Sequence, residues 1–161
     1  MEYLRDKFRA LAEAIERESV LIHRVALIDG YRDIHKLSKL GIDKIIKLAA
    51  SQGGKKGAKI LKERYNVYTD RLDEALEILT VIAESSRLLD LFEYDMDKME
   101  IKVEGSILVE AVGKSKAPVC EPMAGFFEGF LSELLDKNFS VREVQCQAQG
   151  HEKCIFKITQ K

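Results

Sequence analysis

Apolar residues recur at helical spacing through the first half of the chain and alternate at strand spacing in parts of the second. In residues 2–18, Leu4, Phe8, Leu11 and Ile15 are separated by four, three and four positions, which predicts a helix with a short coiled-coil-like seam. Two turns of seam are too few to hold a dimer alone, so this stripe either packs on its own domain or adds to a larger dimer contact. The β-branched run VLIHRVALI, Val20 to Ile28, ends at Asp29-Gly30 and predicts a strand. Tyr31 to Lys39 then reads as helical, stopped by Gly41. A long helix follows over Ile42 to Tyr65, with Ile45, Leu48, Ala49, Ile60 and Leu61 on its expected buried side. Another spans Arg71 to Arg87, with Leu72, Ala75, Leu76, Leu79, Ile82 and Ala83 on one face.

The period then changes. Residues 88–95 and 98–105 flank a Met96-Asp97 turn, and Met99, Ile101 and Val103 alternate with charges, the pattern of a hairpin with one wet face. Residues 106–113 predict a short helix or loop. Pro122 sits at the first turn of a helix predicted over residues 121–137, where Met123, Phe126, Phe127, Phe130, Leu131, Leu134 and Leu135 form a broad apolar face. Gly125 and Gly129, one turn apart, imply close approach to a sheet or a cavity. Two last strands, Phe139 to Gln147 and Lys153 to Thr159, meet at Gln149-Gly150. The sum is an α/β (α+β) fold: an antiparallel sheet of about five strands packed with helices. Residues 1–19 form an N-terminal helical extension and residues 20–161 one domain.

Charge and composition narrow the function. Twenty-six basic and 27 acidic residues give a net charge of -1, so a basic field for nucleic acid is absent. No apolar run approaches the roughly 18 residues of a membrane span. The N-terminus is acidic where a signal peptide would be apolar, which predicts a cytoplasmic protein. The segment SQGGKKGAK does not fit a phosphate loop, because the glycine spacing and the preceding helical pattern both fail.

All three cysteines lie between Cys120 and Cys154. An odd number in a reducing compartment argues against a disulfide framework, and their convergence suggests a metal. Cys120 precedes a helix N-terminus, whose dipole favours the thiolate. Cys146 and Cys154 belong to neighbouring strands and can share one tetrahedral ion. Three sulfurs point to zinc, since iron-sulfur clusters take four. The fourth ligand is open between His151, on the hairpin loop, and Glu143, three residues before Cys146. In a regular strand Glu143 and Cys146 point to opposite faces, so Glu143 needs a bulge. The plainer alternative is three buried cysteines acting as small hydrophobes.

The run Pro118-Val119-Cys120, Gly125-Phe126, Gly129, Glu143-Val144-Gln145-Cys146, Gly150, Cys154 and Phe156 resembles the 4-vinyl reductase domain family. The resemblance covers residues 88 to 161 and extends more weakly back to His23. It implies a mixed α/β domain, a lipophilic cavity between helices and sheet, and a homodimer. In the zinc-bearing sensor members the ligands are a Cys before the helix and Glu-x-x-Cys-x7-Cys, which fall here on Cys120, Glu143, Cys146 and Cys154. That favours Glu143 over His151, with one structural zinc per chain. Arg142, Lys153 or His151 would offset the surplus negative charge.

Two functions follow. The first is a non-catalytic sensor or carrier module binding a small hydrocarbon or aromatic molecule beside Gly125 and Gly129. Phe126, Phe130, Met99 and Val141 would line that site, with Phe127 and Ile101 nearby; ordinary core packing is the competing role of each aromatic. An unidentified protein partner would receive the signal. The second is reduction of a vinyl group on a tetrapyrrole, which needs a hydride or electron source. Neither a G-x-G-x-x-G fingerprint nor a four-cysteine cluster is present, and His23, His35 and His151 lack the spacing of a catalytic set.

Overall fold

The computed structural model describes residues 9, 12–13, 16–20 and 22–161. Residues 9, 12–13 and 16–18 are helical; the seam residues Leu4, Phe8, Leu11 and Ile15 lie outside the described set. The ordered elements are α1 (Arg24–His35), α2 (Ile42–Tyr65), α3 (Leu72–Ser86), β1 (Leu91–Asp95), β2 (Glu100–Glu104), α4 (Ile107–Val112), α5 (Glu121–Leu134), β3 (Phe139–Gln145) and β4 (Cys154–Gln160). The strands form one antiparallel sheet in the order β1-β2-β4-β3. The expected mixed architecture is present, with four strands among the described residues.

The missing strand is the run Val20 to Ile28, which the structure makes helix. α1 starts from the His23 carbonyl, which accepts from the Leu27 N–H at 3.2 Å. Asp29-Gly30, read as a turn, lies inside it, and Asp29 pairs with Arg32 at 2.6 Å. Leu27, Tyr31 and Ile34 recur at helical steps across the expected strand end, and this longer period overrides the local β-branched run.

α2 and α3 carry their own stop signals. α2 ends on Asn66 in the left-handed region, with the Val67 N–H bonded to Leu61 O at 3.1 Å. Asp73 and Glu74 occupy the first turn of α3, where the dipole favours acids. α4 is capped by Ser106, whose Oγ accepts from the Leu108 N–H at 3.2 Å.

The buried side of α2 is not the bulky stripe. Ile45 and Leu48 are 63 % and 62 % exposed and Ala49 is exposed, whereas Ser51, Gly54, Ala58 and Leu61 are buried. Small residues win because α2 and α5 touch backbone to backbone. A Cβ on Gly54 would meet Phe126 O at 2.2 Å, one on Gly125 would meet Lys47 O at 2.3 Å, and one on Gly129 would meet Ser51 O at 2.0 Å. Lys47 fastens the same seam by pairing with Glu121 at 2.9 Å and donating to Val141 O at 3.1 Å.

The main core fills the space between α2, α3, α5 and the sheet. The ring of Phe127 meets Phe92 and Phe156 edge-on at 5.6 and 5.3 Å, joining α5 to the sheet. A smaller apolar cluster of Ile28, Ile107 and Ala111, with Tyr31 and Leu108, seats α1 on α4.

Candidate metal centre and apolar cavity

Cys120 is the residue before α5, Cys146 follows β3, and Cys154 opens β4. Glu143 reaches them through an irregularity. It pairs with Phe156 while Gln145 pairs with Ile155, so Val144 is an extra residue in β3. This bulge turns Glu143 and Cys146 to the same side and leaves Val144 48 % exposed. The ligand atoms of Cys120, Glu143, Cys146 and Cys154 all lie within 4.8 Å of one another, and all four residues are buried. His151 is exposed and lies outside this group.

The sulfurs are separated by 3.9 Å (Cys120 to Cys154) and 3.8 Å (Cys146 to Cys154). A disulfide needs about 2.05 Å. Four thiolate-type ligands about 2.3 Å from a tetrahedral ion stand about 3.8 Å apart, which is the spacing seen here. Glu143 Oε2 accepts from the Cys120 N–H at 2.7 Å, while its Oε1 is buried with no hydrogen-bond partner. An orphaned buried carboxylate oxygen facing three sulfurs fits a divalent cation.

Charge makes the same case. Cys146 accepts hydrogen bonds from Cys120 and Cys154, which hold its pKa far below the ordinary thiol range. Donation to that sulfur pushes Cys120 up. Burial first, and the Cys146 charge second, push Glu143 up to about 8. Left to themselves the four groups share little more than one negative charge, so a cation is needed to hold all four deprotonated. Peptide N–H groups supply the nearest positive poles: Val119 to Cys146 Sγ, Cys120 to Glu143, and Gln147 to Cys154 Sγ at 3.3 Å. Lys153 is instead engaged with Glu93 and Glu104 at 2.9 and 2.7 Å, and Arg142 is exposed on β3.

A cavity of about 490 Å³ lies under α1, between it and α3, α4 and the start of α5. Phe126 and Phe127 line it, with Met123, Leu79, Ile82 and Ile107 among the apolar walls. Among the described lining residues the polar side chains are Tyr31 and Ser86. Tyr31 donates to Val119 O at 2.7 Å and Ser86 to Ala83 O at 2.7 Å. Burial raises the Tyr31 pKa, and the negative charges around Cys120 and Asp43 add to it.

Of the residues expected to line a ligand site, Phe126 is at this cavity. Gly125 and Gly129 face the α2 backbone, Phe130, Ile101 and Val141 are fully buried in the main core, and Met99 is half-buried against it. The walls contributed by α1, including Ala26, Gly30 and Tyr31, were hidden by the strand reading; the steps of four from Ala26 to Gly30 to Ile34 are the signal that marks them.

Residues 99–160 match the 4-vinyl reductase domain. A 41-residue stretch is 42 % identical to an uncharacterised protein of Methanocaldococcus jannaschii, spanning 26 % of this chain and only 25 % of that relative's length. The fold is similar to the phenol-responsive sensory domain of the transcription activator PoxR, crystallised with phenol, at a TM-score of 0.70 and 20 % identity over 98 % of this chain and 89 % of that one. It is also similar to a vinyl-4-reductase family protein from Methanocaldococcus jannaschii (0.57, 20 %, 96 % and 94 %). A trafficking protein particle complex subunit 3 from Naegleria fowleri, covalently bound to palmitic acid, is similar at 0.64 and 12 % identity over 86 % and 95 %. Residues 99–160 therefore belong to the 4-vinyl reductase domain family, set within a fold shared with a vinyl-4-reductase family protein and a phenol sensor.

Proposed function

We propose that this protein is a small-molecule-binding module, a sensor or carrier, that holds an apolar or aromatic ligand in the cavity beneath α1. The observation that carries the reading is the cavity itself: its walls are apolar, and its volume of about 490 Å³ lies in the range of small-molecule sites. The phenol bound by the similarly folded sensory domain supports it. Cys120, Glu143, Cys146 and Cys154 would hold one zinc ion. Four protein ligands leave no position for substrate, so the ion is structural and ties the start of α5 to the β3–β4 hairpin. The module acts in the cytoplasm as a homodimer. Exposed Leu40, Ile45 and Leu48 on the α2 side support self-association.

Native mass spectrometry of the purified protein tests this reading. We expect a dimer with one zinc per chain and a retained organic molecule, both lost on denaturation. Gly30 lines the cavity and a Cβ there meets nothing within 4 Å. Gly30→Leu should therefore fill the cavity and abolish ligand retention while leaving zinc in place. Retention of the same molecule by Gly30→Leu would sink the assignment of this cavity.

A further inference from the structure

Tyr31 belongs to two sites at once. It lines the cavity, and its hydroxyl donates to the Val119 carbonyl at 2.7 Å. The other end of that same peptide unit is the Cys120 N–H, which donates to Glu143 Oε2 at 2.7 Å. A single peptide group thus connects a cavity wall to the carboxylate of the metal cluster, and hydrogen bonds in such a chain strengthen one another. A second path runs from Met123, also in the cavity wall, through Ser106 Oγ at 3.6 Å to Cys120 Sγ at 3.3 Å.

The helix that carries Tyr31 is lightly held. Ile28 is its one buried residue. Its other ties are an ion pair of Arg24 with Glu110, and bonds from Arg24 to Arg87 O at 3.2 Å and from Arg32 to Ala111 O at 2.9 Å. Segments with so few buried apolar contacts open before the core does.

We infer that Tyr31 is a latch between the two sites. A molecule filling the cavity holds α1 down, keeps the Tyr31 hydroxyl on Val119, and thereby holds Cys120 and Glu143 in the geometry that closes the metal cluster. The inference rests on the ligand-binding reading above, and the coupling acts in both directions. Tyr31 is a positioning residue; it touches neither the sulfurs nor the carboxylate.

The test is alkylation of the intact protein by iodoacetamide, with the rate at each cysteine read by peptide mass spectrometry. Wild type, Tyr31→Phe and Val25→Ala are compared with and without naphthalene. Cys146 and Cys154 flank the β3–β4 turn and serve as internal references. Tyr31→Phe should raise the Cys120 rate about fivefold over theirs, the worth of one hydrogen bond. Val25 lies on the same helix outside the cavity lining and half exposed, so Val25→Ala should change no ratio. In wild type, naphthalene at ten times its Kd should slow Cys120 about tenfold; in Tyr31→Phe it should still bind but protect Cys120 much less. An equal rise at all three cysteines, an unchanged Cys120 rate, or full protection in Tyr31→Phe would overturn the latch. Naphthalene binding is followed separately by its fluorescence. Failure to bind wild type would refute the ligand-binding reading, while the ligand-free comparison still decides the latch.

Discussion

Glu143 and His151 are the two residues whose sequence positions made either a candidate ligand, and the chain separates them by one inserted residue. The extra Val144 in β3 swings Glu143 to the side of Cys146, where it is buried to 3 % exposure with one oxygen unpartnered. His151 stays exposed in the loop. Glu143→Gln keeps the shape and removes the charge, so we expect it to lose most bound zinc, whereas His151→Ala should retain one ion per chain. Metal analysis after gel filtration reads both, and zinc loss in His151→Ala alone would reverse the assignment.

At the scale of elements, the crossing of α2 and α5 shows how glycine acts by being small. Gly129 holds the Ser51 carbonyl where its Cβ would be, so Gly129→Ala must push the two backbones apart. Overpacking of this kind costs about 1–3 kcal/mol or more. Gly57 sits on the same helix pair with nothing within 4 Å of its Cβ position. Gly57→Ala should therefore stabilise by about 0.5–1 kcal/mol, the helix preference for alanine. Urea midpoints of the two variants should move in opposite directions. Equal shifts would mean that the close crossing is not what limits stability.

For the whole molecule, a metal at the cluster joins parts far apart in the chain: the segment before α5 and the hairpin that ends the sheet. An ion bound by the folded state alone, present at a thousandfold excess over its Kd, adds about 4 kcal/mol. For a chain of 161 residues that corresponds to a fall in Tm of about 10 °C on chelation. A thermal scan with and without chelator, repeated after zinc is restored, measures it. An unchanged Tm would mean that the cysteines stabilise the fold as buried hydrophobes.

The local pattern by itself determined most of the secondary structure and the ligand set. Long amphipathic periods placed α2, α3 and α5 at nearly their observed bounds, alternation placed β2, and the Cys-Glu-Cys-Cys spacing named the four residues that meet, because these signals come from neighbours along the chain. Three things required tertiary structure. The run Val20 to Ile28 became helix because its outcome depended on what α1 could cover. Ile45 and Leu48 turned outward because a backbone-to-backbone crossing admits only small residues, which hydrophobicity does not rank. The cavity fell beneath α1 because empty space is bounded by elements distant in sequence, and no stretch of residues encodes a void on its own.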